Sequence, residues 1–213
     1  MPIVRINAAG ERELTQVRWG LVPRWAKDPA IGARMINARG ETAATKHAFK
    51  LPFARHRCLV PADGFYEWIR MQGARKHPIR IFMRDGSVFA LAGLYERWLS
   101  PSGEPLDTCT ILTTDANDLL RPLHDRMPVI VPAEAYDRWL DVSESDPQSI
   151  VAPFPAEPMT WEPVSVRVNS VRNDDAGCIE PLVDRELELA APAEASEPAS
   201  PVQEEEPAQA QLF

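Results

Sequence analysis

Cysteine is scarce and scattered: Cys58, Cys109 and Cys178 are the only three in 213 residues. An odd number with no CxxC pair argues against a disulfide framework and against a zinc site. It fits reduced thiols of a cytosolic protein, each filling a small apolar space. Long apolar runs are missing too. No stretch approaches the roughly 18 residues that a membrane-spanning helix needs, and no export signal opens the chain. GxSxG, P-loop and GxGxxG patterns are absent, which removes the commonest sequence signatures of serine hydrolases and nucleotide binders. His47, His56 and His77 fall at no recognisable ligand spacing, so no metal and no cofactor are expected.

Basic residues are absent from one region altogether. Residues 186–213 hold seven Glu and no Lys or Arg. Subtracting these seven from the 31 acids leaves 24 against 23 bases, so residues 1–185 are almost neutral although the chain carries −8. A body so balanced neither advertises nor excludes nucleic acid; binding needs a local basic patch. The acidic Ala/Pro/Glu-rich stretch lacks the apolar mass to offset its ordering entropy and is expected to be a disordered tail. Residues 1–185 are long enough for one well-packed core and are read as one domain.

What is present is mostly short β-like runs. They are PIVRI at 2–6, TQVRW at 15–19, GFYEWI at 64–69, IRIFM at 79–83, VFALAGLYERW at 88–98, TCTILTT at 108–114 and PVIVP at 128–132. Asp85-Gly86 reads as a hairpin turn and 100–105 as a longer hairpin loop. Helices are expected over about 41–55, 115–120 and 133–140. The fold class is therefore α+β: a curved, barrel-like antiparallel sheet flanked by short helices.

Three polar clusters carry candidate chemistry. In DGFYEW, strand alternation puts Phe65, Glu67 and Ile69 on one face and Tyr66 and Trp68 on the other. A carboxylate between two large apolar neighbours is desolvated, its pKa rises, and it can exchange protons near neutrality. The alternative is an outward face with Glu67 solvated. In LHDRMPVIV, His124 sits in a loop ahead of a strand, with a side chain suited to proton shuttling or to capping the loop. In MINARGET, the Asn37 amide can orient a substrate or a chain terminus. Arg39 can grip a phosphate or serve as an ordinary surface arginine. Trp19 and Trp25 are core residues or stacking platforms for a base. Glu41 favours the start of the helix that follows through the helix dipole.

Five ordered blocks, RWGLVPRWAKD, MINARGETAA, RCLVPADGFYEW, ILTTDAN…LHDRMPVIV and PVSVRVNSVRNDDAGCIEPL, together resemble the SRAP (SOS response-associated peptidase) family of abasic site processing proteins. The likeness runs from about Val17 to Leu182. It implies a mixed α/β domain with a groove for single-stranded DNA. It further implies covalent capture of abasic sites by an N-terminal cysteine, whose amine forms a Schiff base and whose thiol closes a thiazolidine. On this chain, the resemblance makes Asn37 the residue that positions the terminus, Glu67 the group that assists sugar opening and imine formation, and His124 the proton shuttle. Arg39, Thr113 and Arg126 become DNA-backbone contacts, and Trp25 a residue lying against the unstacked strand. The implied partner is single-stranded DNA with abasic sites, bound by a cytoplasmic monomer that joins the nucleoid through DNA.

The sequence departs from the family at its start. Family members begin with a Met-Cys-Gly-Arg-like segment, whereas this sequence begins MPIVRIN. One expectation is a native product with that segment ahead of Met1. A second is a module that binds single-stranded or damaged DNA without covalent capture. A third is Schiff-base lyase chemistry on the secondary amine of Pro2 after removal of Met1.

Overall fold

The computed structural model describes residues 1–70 and 76–182. The expected tail over 186–213 lies outside the described residues. In chain order the strands are β1 (Pro2–Ile6), β2 (Arg12–Gln16), β3 (Arg18–Trp19), β4 (Asn37–Arg39), β5 (Arg57–Ala62) and β6 (Phe65–Arg70). There follow β7 (Lys76–Met83), β8 (Phe89–Leu99), β9 (Pro105–Asp115), β10 (Arg126–Pro128), β11 (Ile130–Val131) and β12 (Met159–Pro163). The α-helices are short: α1 (Gly40–Ala43), α2 (Lys50–Arg55) and α3 (Tyr136–Leu140).

Nine strands form a curled main sheet whose central path runs β10-β9-β8-β5-β1-β2. The other three form a small antiparallel sheet, β12-β7-β6. The long strands β8 and β9 pair with different neighbours along their length, and this gives the main sheet its half-barrel curl. The α+β expectation stands, with one refinement: β3 and β4 join β9 in parallel, so the sheet is mixed.

Alternation on the central strands sorts the core into two layers. Cys58 and Val60 of β5 face the small sheet and pack with Ile69, Ile79, Ile81 and Met159. Leu59 between them faces the helices and packs with Phe53, Trp139 and Leu140. Trp139 is fully buried, its indole donating to Cys58 O at 2.9 Å and its ring meeting Phe53 edge-on. All three cysteines are buried, as expected of small apolar fillers. No helix among the described residues is long and apolar enough to cross a membrane.

Several local expectations change. The helix over 41–55 breaks into α1 and α2, because Pro52 would collide with the Ala48 carbonyl in a continuous helix. Restarting at Lys50 puts Pro52 in the first turn, where no amide proton is needed. The segment 115–120 is a turn, not a helix. Asn117 takes the Leu120 amide on its side chain and donates to Phe154 O, so its own bonds replace a helical ladder. Asp85-Gly86 makes a tight turn with Gly86 at φ +72°, yet it joins no hairpin. It carries the chain from β7 in the small sheet to β8 in the main one. The 100–105 loop does close a hairpin, between β8 and β9.

Candidate functional site

A cavity of about 780 Å³ opens between the edges of the two sheets. Its walls come from β4, the end of β5, β6, β9, β10 and the first residues of the chain, Met1 and Pro2. Six of the seven residues singled out in the sequence line it: Asn37, Arg39, Glu67, Thr113, His124 and Arg126. Residues from four separate segments thus converge, and each is placed by a definable backbone feature.

β4 runs parallel to β9 with Asn37 opposite Ile111, Ala38 opposite Leu112 and Arg39 opposite Thr113. The alternation buries Ala38 and turns Asn37 and Arg39 together toward the cavity. Gly40 then has to be glycine. A Cβ there would stand 2.3 Å from a Val151 methyl and 3.2 Å from Thr113 O, so only a bare backbone lets the chain turn into α1 against β9.

Glu67 sits at the centre of β6, opposite Ile79 of β7. Phe65 and Ile69 on its face pack into the core, so that face is inward, and the Glu67 side chain retains 25% of its exposure. Trp68 beside it points outward and donates its indole proton to Asn169 Oδ1 at 2.6 Å.

His124 follows the Asn117 turn. Its Nδ1 accepts the Arg126 amide proton at 3.0 Å, which puts the proton of the neutral imidazole on Nε2. The same Nδ1 lies 3.1 Å from Arg126 O, a carbonyl ready to accept if Nδ1 takes up a proton. Glu67 Oε1 stands 3.9 Å away and Asp125 Oδ1 3.4 Å away. An imidazole with a carboxylate just beyond hydrogen-bond distance can tighten into a proton-relay pair when substrate fills the cavity.

Arg126 is held far more firmly than the sequence suggested. Its guanidinium meets Glu41 at 2.7 Å, Asp115 at 2.6 Å and Thr113 O at 2.8 Å. The Glu41 hydrogen bond keeps Arg126 above its ordinary pKa, and the same bond holds the Glu41 carboxyl below its own. Arg39 differs, having no ion-pair partner among the described residues. Glu41 therefore does two jobs, lying in the first turn of α1 and orienting a cavity arginine.

Trp25 does not join this cavity. It is 50% exposed and stacks on His47 at 5.3 Å, beside Arg24 and Lys50 in a separate hollow. Trp19 takes the cavity position instead, its indole fixed on Ile36 O at 2.8 Å. Sequence reasoning also missed Tyr66 and Trp68 as lining residues and Asp115 as an Arg126 partner. The sequence leaves Trp19 open as a core residue or a stacking platform, and its 44% exposure favours the second; for Trp68 the signal is exposure of a large aromatic, which a sequence does not give. A larger cavity of about 920 Å³ lies elsewhere, lined by Arg5, Arg24 and Arg97 with Glu13 and Glu96. Its charges are matched within the protein, and none of the predicted residues reaches it.

No group of three or more potential metal ligands occurs among the described residues. Burial raises the Cys58 thiol well above its ordinary value and Cys109 to about 11, so neither is a thiolate at neutral pH. Cys109 Sγ contacts Met1 Sδ at 3.7 Å, behind the cavity wall.

Comparison with known proteins bears on this geometry. The model of the SOS response associated peptidase (SRAP) family matches residues 1–171. The abasic site processing protein YoqW of Bacillus subtilis is 47% identical over 178 residues, covering 82% of this chain and 80% of that protein. The abasic site processing protein HMCES of Gallus gallus is 37% identical, over 90% of this chain and 63% of its own length. Among solved structures, a Bacteroides thetaiotaomicron protein superposes with a TM-score of 0.74 at 32% identity, over 85% of this chain and 81% of that one.

Proposed function

The chain belongs to the SOS response associated peptidase family, and from that premise we propose that it processes abasic sites in DNA, taking them as single strands into the cavity between its two sheets. The observation that carries this reading is the convergence of an unpaired arginine, a mostly buried carboxylate, an imidazole and an orienting amide on one opening.

An abasic site in its ring-opened form presents an aldehyde between two phosphates. Arg39 and Thr113 hold the flanking phosphates, the first by charge and the second through its hydroxyl, with Arg126 adding charge from within its carboxylate frame. Intact bases are bulky and flat, and Trp19 and Trp68 offer faces on which neighbouring bases can stack once the strand is opened.

Inside, an amine presented beside Met1 and Pro2 adds to the aldehyde carbon, and loss of water gives an imine. Addition leaves an ammonium and an alkoxide; His124 carries the ammonium proton to the alkoxide, giving the carbinolamine, and Glu67 then protonates its hydroxyl, which leaves as water to give the iminium. Asn37 fixes the amine by its amide. A carboxyl and an imidazole on one substrate, one donating while the other accepts, contribute about 10²–10⁴-fold when each is positioned.

The test is incubation with a single-stranded oligonucleotide carrying an abasic site, followed by denaturing electrophoresis with and without borohydride. A covalent adduct that survives denaturation is expected. An adduct seen only with borohydride identifies an imine, including one on Pro2 after loss of Met1. An adduct independent of borohydride identifies closure by a second nucleophile such as a thiol. No adduct, with salt-dependent retention on native gels, overturns covalent capture in favour of a binding module.

A further inference from the structure

We propose that Asn169 is a positioning residue for DNA, locking the Trp68 indole so that its face stands ready for the base beside an abasic site; the inference rests on the preceding reading of the cavity as a DNA site. Backbone bonding shows why Trp68 needs a lock. The Val164 amide donates to Pro78 O at 3.2 Å, and the Arg84 amide donates to Pro158 O at 2.8 Å. The even-numbered residues of β7 therefore turn their backbone groups toward β12, and the odd-numbered ones toward β6. Glu67 opposite Ile79 is then a hydrogen-bonded pair, whereas Trp68 opposite Pro78 is not. The amide and carbonyl of Trp68 point to the open edge of β6, and its side chain stands on the face away from the core. An indole in that place, 38% exposed, has several rotamers open to it. One hydrogen bond selects among them: the indole proton goes to Asn169 Oδ1 at 2.6 Å.

Asn169 is itself held in place. It ends the single 3-10 turn Val166–Asn169, which Ser165 opens by accepting the Arg167 amide on its hydroxyl. Arg167 grips Asp175 at 2.7 and 3.1 Å, and the Asn173 side chain donates to Arg167 O at 2.6 Å. The Val164–Pro181 bridge closes this segment onto the small sheet. An indole N–H only donates, so the amide oxygen of Asn169 must face it. The bond fixes the plane of the ring before a base arrives, and binding does not then bear the entropy of ordering it. Without the bond the ring samples its rotamers, and a base stacked on it holds less firmly.

The experiment uses two single-stranded oligonucleotides of equal length. One has bases on both sides of a central tetrahydrofuran abasic analogue. The other carries tetrahydrofuran at every position and so offers phosphates without bases. Affinities are measured for the full chain, Asn169→Ala, Trp68→Phe and the double variant. The native chain is expected to favour the base-bearing strand about tenfold, within the contribution of one stacked base. Asn169→Ala should lose most of that preference and bind the base-free strand as the native chain does. Trp68→Phe keeps an aromatic ring without the indole proton, and adding Asn169→Ala to it should weaken binding no further. Equal loss on both strands overturns the proposal, as do losses that add in the double variant or an Asn169→Ala protein that keeps the native preference. Binding of both strands by the native chain without preference defeats this inference alone. Binding of neither defeats the DNA reading and this inference with it.

Discussion

At the scale of single residues, the proposed chemistry rests on Glu67 and His124. Replacing the carboxyl by an amide of the same shape keeps the β6 packing and removes the group that exchanges protons with substrate. Glu67→Gln is therefore expected to slow adduct formation on an abasic oligonucleotide by roughly 10²-fold, read from single-turnover gels. Glu96 offers a second prediction, about stability. It is almost fully buried, and burial pushes its pKa up, but the His56 imidazole 3.5 Å away and the hydrogen bonds from Arg24 outweigh that and leave it below its ordinary value. A carboxylate depressed in the folded state stabilises above its unfolded pKa, about 4.3. That stabilisation is lost as pH falls through the lower folded value. Urea titrations at neutral pH should show Glu96→Ala less stable by about 2 kcal/mol. The gap should hold down to the ordinary carboxylate range and close below it. At this scale the sequence was informative where chemistry is carried by residue type. The amide, carboxyl and imidazole of Asn37, Glu67 and His124 were named from their chemistry and their neighbours. The Glu41–Arg126–Asp115 cluster was not, because it joins α1, β9 and β10 across up to 85 residues of chain, and ion pairs of that kind leave no local pattern.

Secondary elements set where those side chains stand. Arg57, at the start of β5, donates to Phe53 O at 2.8 Å and Trp139 O at 2.7 Å, and also to Asp141 O. One buried guanidinium thus satisfies the last carbonyls of both α2 and α3, which otherwise lack partners. Arg57→Ala leaves those carbonyls unpaired beneath the sheet and should cost about 3 kcal/mol in chemical denaturation. Arg57→Lys should recover little, since an ammonium cannot reach three directions from one planar group. Gly40 is the other hinge of the account. Gly40→Ala drives a methyl into Val151 and should destabilise by about 1–3 kcal/mol. Because Arg39 and Glu41 flank the strained position, adduct formation should fall as well, measured after correction for the folded fraction. Strand positions were legible from alternation for β1, β6, β8 and β9. The four-residue α1 and two-residue β3 were not, because elements so short are created by their neighbours rather than by periodicity. The break at Pro52 and the turn at Asn117 were legible in principle, through a ring that forbids a continuous helix and a side chain that replaces one. The Asp85-Gly86 turn carried a true turn signal, but turn chemistry alone does not say which sheet the next strand joins.

On the scale of the whole molecule, two sheets of unequal size share one core, and the cavity is the gap their edges leave. That gap explains why the predicted residues come from segments as distant as β4 and β10 yet face one another. The arrangement also separates tasks. Stability resides in the layers behind β5, where Trp139 and Arg57 anchor the helices, while the cavity rim keeps Arg39 and the aromatic faces open to a ligand. The measurement that tests the central claim most directly is the affinity for a single-stranded oligonucleotide containing a tetrahydrofuran abasic analogue, which cannot form an imine, followed across a salt series for the native chain and for Arg39→Ala. The account predicts salt-dependent binding by the native chain. Arg39→Ala should bind about tenfold more weakly at low salt, and the slope of log K against log salt should shrink by roughly 0.7, the loss of one phosphate contact on a single strand. Native-strength binding and an unchanged slope in Arg39→Ala would place DNA elsewhere on the molecule and contradict it.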